Sequence, residues 1–556
     1  MKVCCVYVQA YLDYNVNTNE AKGSSKGKLR TSIIPLGISY ISSALKQNGY
    51  NTYGVLFVQG IPFERIICDI YKDTDIICIS ITSYSCWIYA KQILNKLKEY
   101  LPKAKIIVGG TFVTLAPENI FKNEKIDALC IGEGEKAIVE YVKNYQANTL
   151  NKKIDNLYIR ENGQIIKCDK SLFIEDIDKL PYPDRHIWDK WTYDRSQHKV
   201  LTERGCPNKC VYCANHKLAN ASQGTYLRHR NPIDIINEIK GLKKDYPQTS
   251  SIMLYSENAA SKLEHFIKLC QELKKYNNTL KEKINYTIIL NVTKNLVKSK
   301  EVFTAIKEAN IKWVMFGFES ASKEIRKKIN RPNYDNKDIL KFCNEMKKAK
   351  IHTTIYAMLC YPYETTKSYF ETVKWLRFFK PDAIGWFFMG PPKNTELYQR
   401  LIINKEEKDK INYWFNLKNW WYFITFKFRV YITYKPFIET IFLSTEQFGL
   451  FNNLFALWRK FINNKKIKAK DYQKLAKQYF DKQEYKQALK YYDKIKDRNE
   501  AWIYGDIAIA KYKIKKYKEA LYEINKALKI DSGNNMFLKL KEEILIKYRG
   551  QKNARV

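Results

Sequence analysis

The chain has no uninterrupted apolar run of ~18 residues, the length a membrane-crossing helix needs, so no membrane span is expected. Its first residues, MKVCCVYVQAYLDY, lack the long apolar core and small-residue cleavage site of a secretory signal. Histidine is scarce, with six in 556 residues, and the first is His186. Residues 1–150 therefore offer no imidazole to a metal. The thirteen cysteines are odd in number and show no regular paired spacing, which excludes a small disulfide scaffold. A reducing cytoplasm is the simplest compartment for such a chain. No nucleic-acid-binding module is recognisable, so nucleic acid is not expected as a partner. The net charge of +38 suits an acidic partner in principle. It is spread along the chain, however, with +17 in residues 401–556 and +21 before them, as on a lysine-rich soluble surface.

What is present is a long, foldable chain, 45% apolar and 28% charged. It is too long for one core, so several domains are expected. Residues 1–150 alternate short apolar strands (KVCCVYV, DIICISIT, AKIIVGG, IDALCIG) with amphipathic helices such as YAKQILNKLKEYLP. That alternation predicts an α/β domain with a doubly wound parallel sheet. Residues 151–195 read as a connector containing the hairpin-like NLYIRENGQIIKC. From 196 to 400 the alternation resumes with HKVLTERG, SSIMLYSEN, INYTIILNV, IKWVMFGFES, HTTIYAMLC and DAIGWFFMG as strands. Six strands with intervening helices predict a partial (β/α)6 barrel.

Residues 401–470 are basic and aromatic, with four of the eleven tryptophans between Trp414 and Trp458. They read as helices packed on the barrel, or as a membrane-surface or substrate-covering element. Residues 471–548 predict an all-α region in which Tyr485 and Ala488 recur as Tyr517 and Ala520. This stretch, with Ala527 and Leu528, resembles tetratricopeptide repeats. The resemblance implies a small cap or a docking surface for a protein partner. The loop Asn15–Arg30 is longer than a typical connection.

The chemistry concentrates at Thr202-Glu-Arg-Gly-Cys206-Pro-Asn-Lys-Cys210-Val-Tyr-Cys213. Three thiolates on a loop after a strand can hold a soft metal centre and leave one position open for reaction. With His216 three residues on, a Cys3His zinc site is the alternative. The C-x3-C-x2-C spacing, with Tyr212 before the last cysteine, resembles the radical S-adenosylmethionine (SAM) superfamily over residues 196–400. The resemblance implies that Cys206, Cys210 and Cys213 ligate a 4Fe-4S cluster. SAM chelates the open iron, and an external electron donor drives its cleavage to a 5′-deoxyadenosyl radical. Tyr212 supplies an aromatic face near that iron.

The same resemblance assigns strand-end residues, at the expected catalytic face of a barrel, to SAM. Tyr255, Ser256 and Glu257 lie where the superfamily contacts the SAM amino group, and Asn291 ends the next strand. Glu319, in Gly-Phe-Glu-Ser, is expected at the ribose or a polar end of SAM, and Arg331 at the SAM carboxylate. Tyr361-Pro-Tyr-Glu364-Thr365 stands where the family has Gly-x-Pro-Gly-Glu-Thr, with both glycines replaced. For each polar residue a cap or turn role is the competing reading.

Residues 1–145 resemble the cobalamin (B12)-binding domain of the cobalamin-type branch. The resemblance rests on Pro35-Leu36-Gly37, Gly109-Gly110-Thr111, Pro117-Glu118 and Gly132-Glu133-Gly134-Glu135. Glycines at strand ends let a large ligand lie against the backbone. Ser80, Thr82 and Ser83 are expected to hydrogen-bond the corrin or its nucleotide tail. The Asp-x-His-x-x-Gly cobalt-ligating motif is absent, so a bound cobalamin would lack a histidine from this domain; loss of the cofactor with retention of the fold is the other possibility. The methylthiotransferase branch is disfavoured. Cys4, Cys5, Cys68, Cys78, Cys86 and Cys130 do not reproduce its second-cluster spacing, and no C-terminal RNA-binding barrel is visible. The resemblance implies a cobalamin-dependent radical SAM methyltransferase acting on an unactivated carbon of an unidentified small molecule or peptide. Radical rearrangement, cyclisation or oxidation is the enzymatic alternative. A repeat-based interaction protein with a relic barrel is the non-enzymatic one.

Overall fold

The computed structural model describes residues 1–9, 34–388, 441–442 and 469–553, apart from 60, 62, 151, 170, 193–194, 332–333, 360–363, 482, 494 and 496–499. The expectations for Asn15–Arg30, for Tyr361–Tyr363 and for nearly all of the aromatic segment lie outside the described residues. The chain divides into two compact units, Met1–Thr445 and Glu446–Val556. Among the described residues no helix is long and apolar enough to cross a membrane.

The first unit holds two sheets. The first comprises β1 (Lys2–Gln9), β2 (Asn51–Val58), β3 (Ile76–Ser80), β4 (Lys105–Gly109), β5 (Ala128–Cys130), β6 (Leu157–Glu161) and β7 (Gln164–Lys167). Their order is β2-β1-β3-β4-β5-β6-β7. The pairs among β1–β5 are parallel, as the alternation predicts. Val3, Cys4, Cys5 and Val6 and then Ile76 to Ile79 are buried without a break. Such runs mark strands covered by helices on both faces. The order reverses between β1 and β3, and in open α/β sheets the ligand crevice opens outside the strand carboxyl ends at that point.

The expected connector proves to be part of this domain. β6 and β7 extend the sheet as an antiparallel hairpin on β5. A single 3-10 turn at His186–Trp188 then carries Trp188 and Trp191 into the first core. Trp188 is fully buried and its Nε1 donates to Ser39 Oγ at 2.7 Å. Trp191 Nε1 donates to the Gly54 carbonyl at 2.7 Å.

The second sheet is built from β8 (Gln197–Leu201), β11 (Ser251–Tyr255), β12 (Asn285–Leu290), β13 (Ile311–Glu319), β14 (His352–Leu359), β15 (Ala383–Phe388) and β16 (Ile441–Phe442). The order β16-β15-β14-β13-β12-β11-β8 follows the chain, and every pair is parallel, as in an opened α/β barrel. All six expected strands are present; the two-residue β16 is an addition. Between β8 and β11, β9 (Glu203–Arg204) and β10 (Arg228–His229) form a short antiparallel pair. Helices such as Pro232–Asp245, Leu263–Asn278 and Asn336–Lys348 cover the sheet with apolar faces.

The second unit is helical, as expected for this stretch. Its helices are Ala469–Asp481, Tyr485–Tyr492, Ala501–Lys513, Tyr517–Ile530 and Asn535–Asn553. The recurring small residues Ala488, Ala520 and Ala527 are fully buried, which lets neighbouring helices approach closely. A buried Asp506 accepts from Tyr492 at 2.8 Å and Lys477 at 2.6 Å.

Placement of Trp188 in the first core carries a prediction. Trp188→Ala should cost about 3–5 kcal/mol, the usual range for a large buried aromatic. Trp188→Phe keeps most of the packing and should cost mainly one hydrogen bond, about 1 kcal/mol. Denaturant unfolding of the full chain reads both; an alanine variant as stable as its parent would place the segment outside the core.

Candidate active site

The cysteine loop leaves β9 and enters the short helix Asn215–Ala219. Gly205 starts it with φ +92, and a Cβ there would collide with the Tyr226 carbonyl, so glycine is required. The segment after β13 holds the other side of the loop. The amide of Val211 donates to the Ile329 carbonyl at 3.1 Å, and Asn330 Nδ2 donates to the Lys209 carbonyl at 2.8 Å. Cys210 is buried, while Cys206 and Cys213 are half-buried, and all three are free thiols. Burial pushes the Cys206 thiol up to about 11, with Cys213, Glu257 and Cys210 adding to the rise. Burial raises Cys213 likewise.

Three free thiols on one tethered loop are a soft donor set of the kind that holds an iron–sulfur cluster. The ring nitrogens of His216 are buried without hydrogen-bond partners.

The expected SAM residues sit at neighbouring strand ends and are wired together. Glu203 Oε1 accepts from the Asn258 amide at 3.0 Å, and Asn258 Oδ1 accepts from the Asn291 amide at 2.9 Å. Asn291 Oδ1 in turn accepts from Arg331 Nη2 at 2.8 Å. Glu319 is buried beside Arg331, 3.4 Å away, in a β13 irregularity where its φ is +61. Burial pushes its carboxyl up, against the pull of Arg331 and a hydrogen bond from Tyr212. Tyr212 thus engages Glu319 through its hydroxyl in addition to any role of its ring. Glu257 accepts from Asn215 Nδ2 at 3.1 Å, and its carboxyl is raised, chiefly by desolvation. Tyr255 stays partly exposed at the end of β11, while Ser256 is buried and donates to the Ile289 carbonyl at 3.4 Å. Thr365 caps the helix Thr366–Phe379 in a capping box with Ser368.

In the first domain the expected residues line the carboxyl edge of the sheet. Pro35, Leu36 and Gly37 open the helix Leu36–Gln47, and Gly37 faces open space. Ser80 ends β3 and Thr82 follows it, while Ser83 caps the helix Tyr84–Tyr100 through the Cys86 amide. Gly109 ends β4, Gly110 packs on the Ile81 carbonyl, and Thr111 is exposed at the start of the next helix. The helix Thr111–Leu115 packs against Asn215–Ala219, so this edge meets the cysteine loop. Gly132, φ +81, lets Ser222 approach; a Cβ would lie 2.7 Å from its Oγ. Ser222 Oγ and Gln9 Oε1, at the end of β1, are buried without partners. Unsatisfied polar atoms and an open Gly37 fit a large polar-rimmed ligand along this edge.

The carboxylate of Glu133 is committed elsewhere. It accepts both Nη atoms of Arg228, at 2.7 and 2.9 Å, and the Ile174 amide at 2.6 Å. Arg204, two residues before Cys206, pairs with Glu133 at 3.0 Å and Glu135 at 2.5 Å. Sequence reasoning missed this clasp. Its arginines lie 69 and 95 residues from their partners, and no local pattern links them.

The clasp is pH-sensitive with a definite sign. Burial pushes Glu133 up, but the Arg228 hydrogen bond and the two arginine charges outweigh it, so the carboxyl ends below its usual value. Its stabilisation is therefore present above the ordinary carboxylate value of about 4.3 and is lost as pH falls through the depressed folded value. Glu133→Gln should flatten this acid limb when unfolding is followed from about pH 7 to 3. Glu133→Ala should cost about 3–5 kcal/mol at neutral pH by stranding buried arginine charge. An unchanged acid limb in the glutamine variant would refute the assignment.

Residues 200–376 match the family model of the radical SAM superfamily, and residues 26–142 match that of the B12 binding domain. The anaerobic magnesium-protoporphyrin IX monomethyl ester cyclase of Cereibacter sphaeroides is 24% identical over 393 residues, 68% of this chain. The chain spans 62% of that relative's length. An uncharacterized methyltransferase of Pyrococcus horikoshii is 25% identical over 428 residues, covering 74% of this chain and 84% of that protein. Among solved structures, the radical SAM methyltransferase TsrM of Kitasatospora setae, with cobalamin and a [4Fe-4S] cluster bound, superposes with a TM-score of 0.57 at 12% identity. The match covers 71% of this chain and 77% of TsrM, and it establishes a shared fold. The chain therefore carries a B12 binding domain followed by a radical SAM domain, the pair that takes cobalamin, a 4Fe-4S cluster and S-adenosylmethionine.

Proposed function

We propose that this chain is a cobalamin-dependent radical SAM methyltransferase acting on an unactivated carbon. The observation that carries the reading is the clasp. Arg204, next to the cluster loop, is ion-paired to Glu133 and Glu135 at the carboxyl edge of the B12 binding domain. The two cofactor edges are thereby held against each other. When bound, the cluster supplies an electron for SAM cleavage and cobalamin supplies the methyl group.

The chain's own residues bind and orient. Cys206, Cys210 and Cys213 hold iron once their protons are displaced. Tyr255, Ser256, Glu257, Asn291 and Glu319 border the SAM position, and the buried Glu319–Arg331 pair keeps water from that wall. Pro35, Leu36, Gly37, Ser80, Thr82, Ser83, Gly109, Gly110, Thr111 and Gly132 border the corrin. Free thiols throughout the described residues suit a reducing cytoplasm. The C-terminal helices follow a tetratricopeptide-like pattern, with a protein partner as the role we assign them.

A second reading, radical cyclisation or oxidation without methyl transfer, is favoured by the likeness to a cyclase. Anaerobic reconstitution with iron, sulfide and cobalamin, then product analysis with SAM and reductant, separates the two. The methyltransferase reading expects 5′-deoxyadenosine and S-adenosylhomocysteine in equal amounts per turnover; 5′-deoxyadenosine alone would sink it in favour of the second. Cys206→Ala should take up no 4Fe-4S cluster and form neither product.

A further inference from the structure

Arg331 is placed in a way that its expected role does not use. Its side chain is 8% exposed, and its neighbours in sequence bind the cluster loop through the Ile329 carbonyl and the Asn330 amide side chain. Nη2 is held by three acceptors: Asn291 Oδ1 at 2.8 Å, the Gly317 carbonyl at 2.9 Å and Glu319 Oε1 at 3.4 Å. This pins one end of the planar guanidinium. The other end is thereby aimed, and Nη1 lies 3.8 Å from the Sγ of Cys210. Cys210 is the most buried of the three loop cysteines. Nε is buried without a partner, so a SAM carboxylate, the partner expected for Arg331 from the sequence, is not needed to hold Nη1 or Nη2 in place.

We infer that Arg331 is a positioning residue for the cluster, donating a charged hydrogen bond from Nη1 to the Cys210 sulfur and thereby raising the cluster's reduction potential. The inference rests on the proposed 4Fe-4S site. Hydrogen bonds to ligand sulfurs withdraw electron density and favour the reduced, more negative state. Low dielectric strengthens the effect, because neither partner is screened by water. Arginine suits the task because its rigid fork serves Asn291, Gly317 and the sulfur at once. Lysine presents one compact ammonium that cannot span them.

The test uses the full chain, reconstituted anaerobically with iron and sulfide and titrated potentiometrically without SAM, with the reduced cluster followed by electron paramagnetic resonance. Two proteins are compared with the parent: Arg331→Lys, and Arg331→Gln combined with Glu319→Gln. The double variant removes the hydrogen bond and leaves the net charge of the pair unchanged. Both should show a lower midpoint potential at undiminished iron and sulfide per chain. An unmoved midpoint in the double variant overturns the inference. If that protein takes up no cluster, an unmoved midpoint in Arg331→Lys overturns it instead. Weakened SAM binding with an unmoved potential would assign Arg331 to the SAM carboxylate and equally overturn it. A parent chain that binds no four-iron cluster would defeat the functional reading, a result separable from all of these.

Discussion

Buried charge fixes how the two α/β domains meet. Arg204 and Arg228 project from the short β9–β10 pair into the carboxyl edge of the first sheet, where Glu133 and Glu135 receive them. None of these side chains is more than 15% exposed. An arginine cannot shed its proton, and a buried unpaired charge costs several kcal/mol, about 3–5 when one partner is removed. The pairs are satisfied only in one relative placement of the domains. Such pairs add little net stability against an apolar alternative, but they discriminate strongly among orientations. A reaction that uses ligands from two domains depends on that discrimination more than on stability.

The consequence for the cysteine loop is that it is tied at both flanks. On one side Gly205 follows Arg204 directly, so the loop leaves from an anchored residue. On the other, Ile329, Asn330 and Arg331 grip Val211, Lys209 and Cys210. That second grip depends on the course of β13. The strand slips register against β14 between Gly317 and Glu319, and Glu319 adopts a positive φ that costs a non-glycine residue about 1–3 kcal/mol. Irregularities of this kind re-aim a side chain near a site. Here the result is a carboxylate turned toward Arg331 and Tyr212.

Much of the architecture was legible because the central strands of parallel sheets are covered on both faces. The runs KVCCVYV and DIICISI leave little choice but a buried strand, and each expected barrel strand has its counterpart. The connector was misjudged for a related reason. LYIRE and QIIK read as a hairpin, but at a sheet edge with half-exposed residues nothing local marks the sheet that they join. The tryptophans that tie the segment to the first core find partners more than a hundred residues away, at Ser39 and Gly54. The glycines were recognisable as strand-end residues, yet part of their need is protein packing: Gly110 admits the Ile81 carbonyl and Gly132 admits Ser222. The arginine clasp had no sequence signal, since pairing across domains is a property of the fold.

The cysteines show why residue type alone does not locate the chemistry. Cys5 and Cys78 are paired neighbours on β1 and β3, with Cys4 beside them on β1 and Cys130 on β5, and each is buried. Burial pushes Cys4 up to about 12 and raises the others, so all four persist as neutral thiols that pack as small apolar groups. Burial raises Cys206 and Cys213 too, but they lie with Cys210 on a loop that has a cationic guanidinium beside it. A strand cannot move its sulfurs toward a shared metal without breaking the ladder, whereas a tethered loop presents them already free of that constraint. What separates ligand from filler is therefore backbone freedom and a positive neighbour, and both come from the segments that hold the loop rather than from the cysteines themselves.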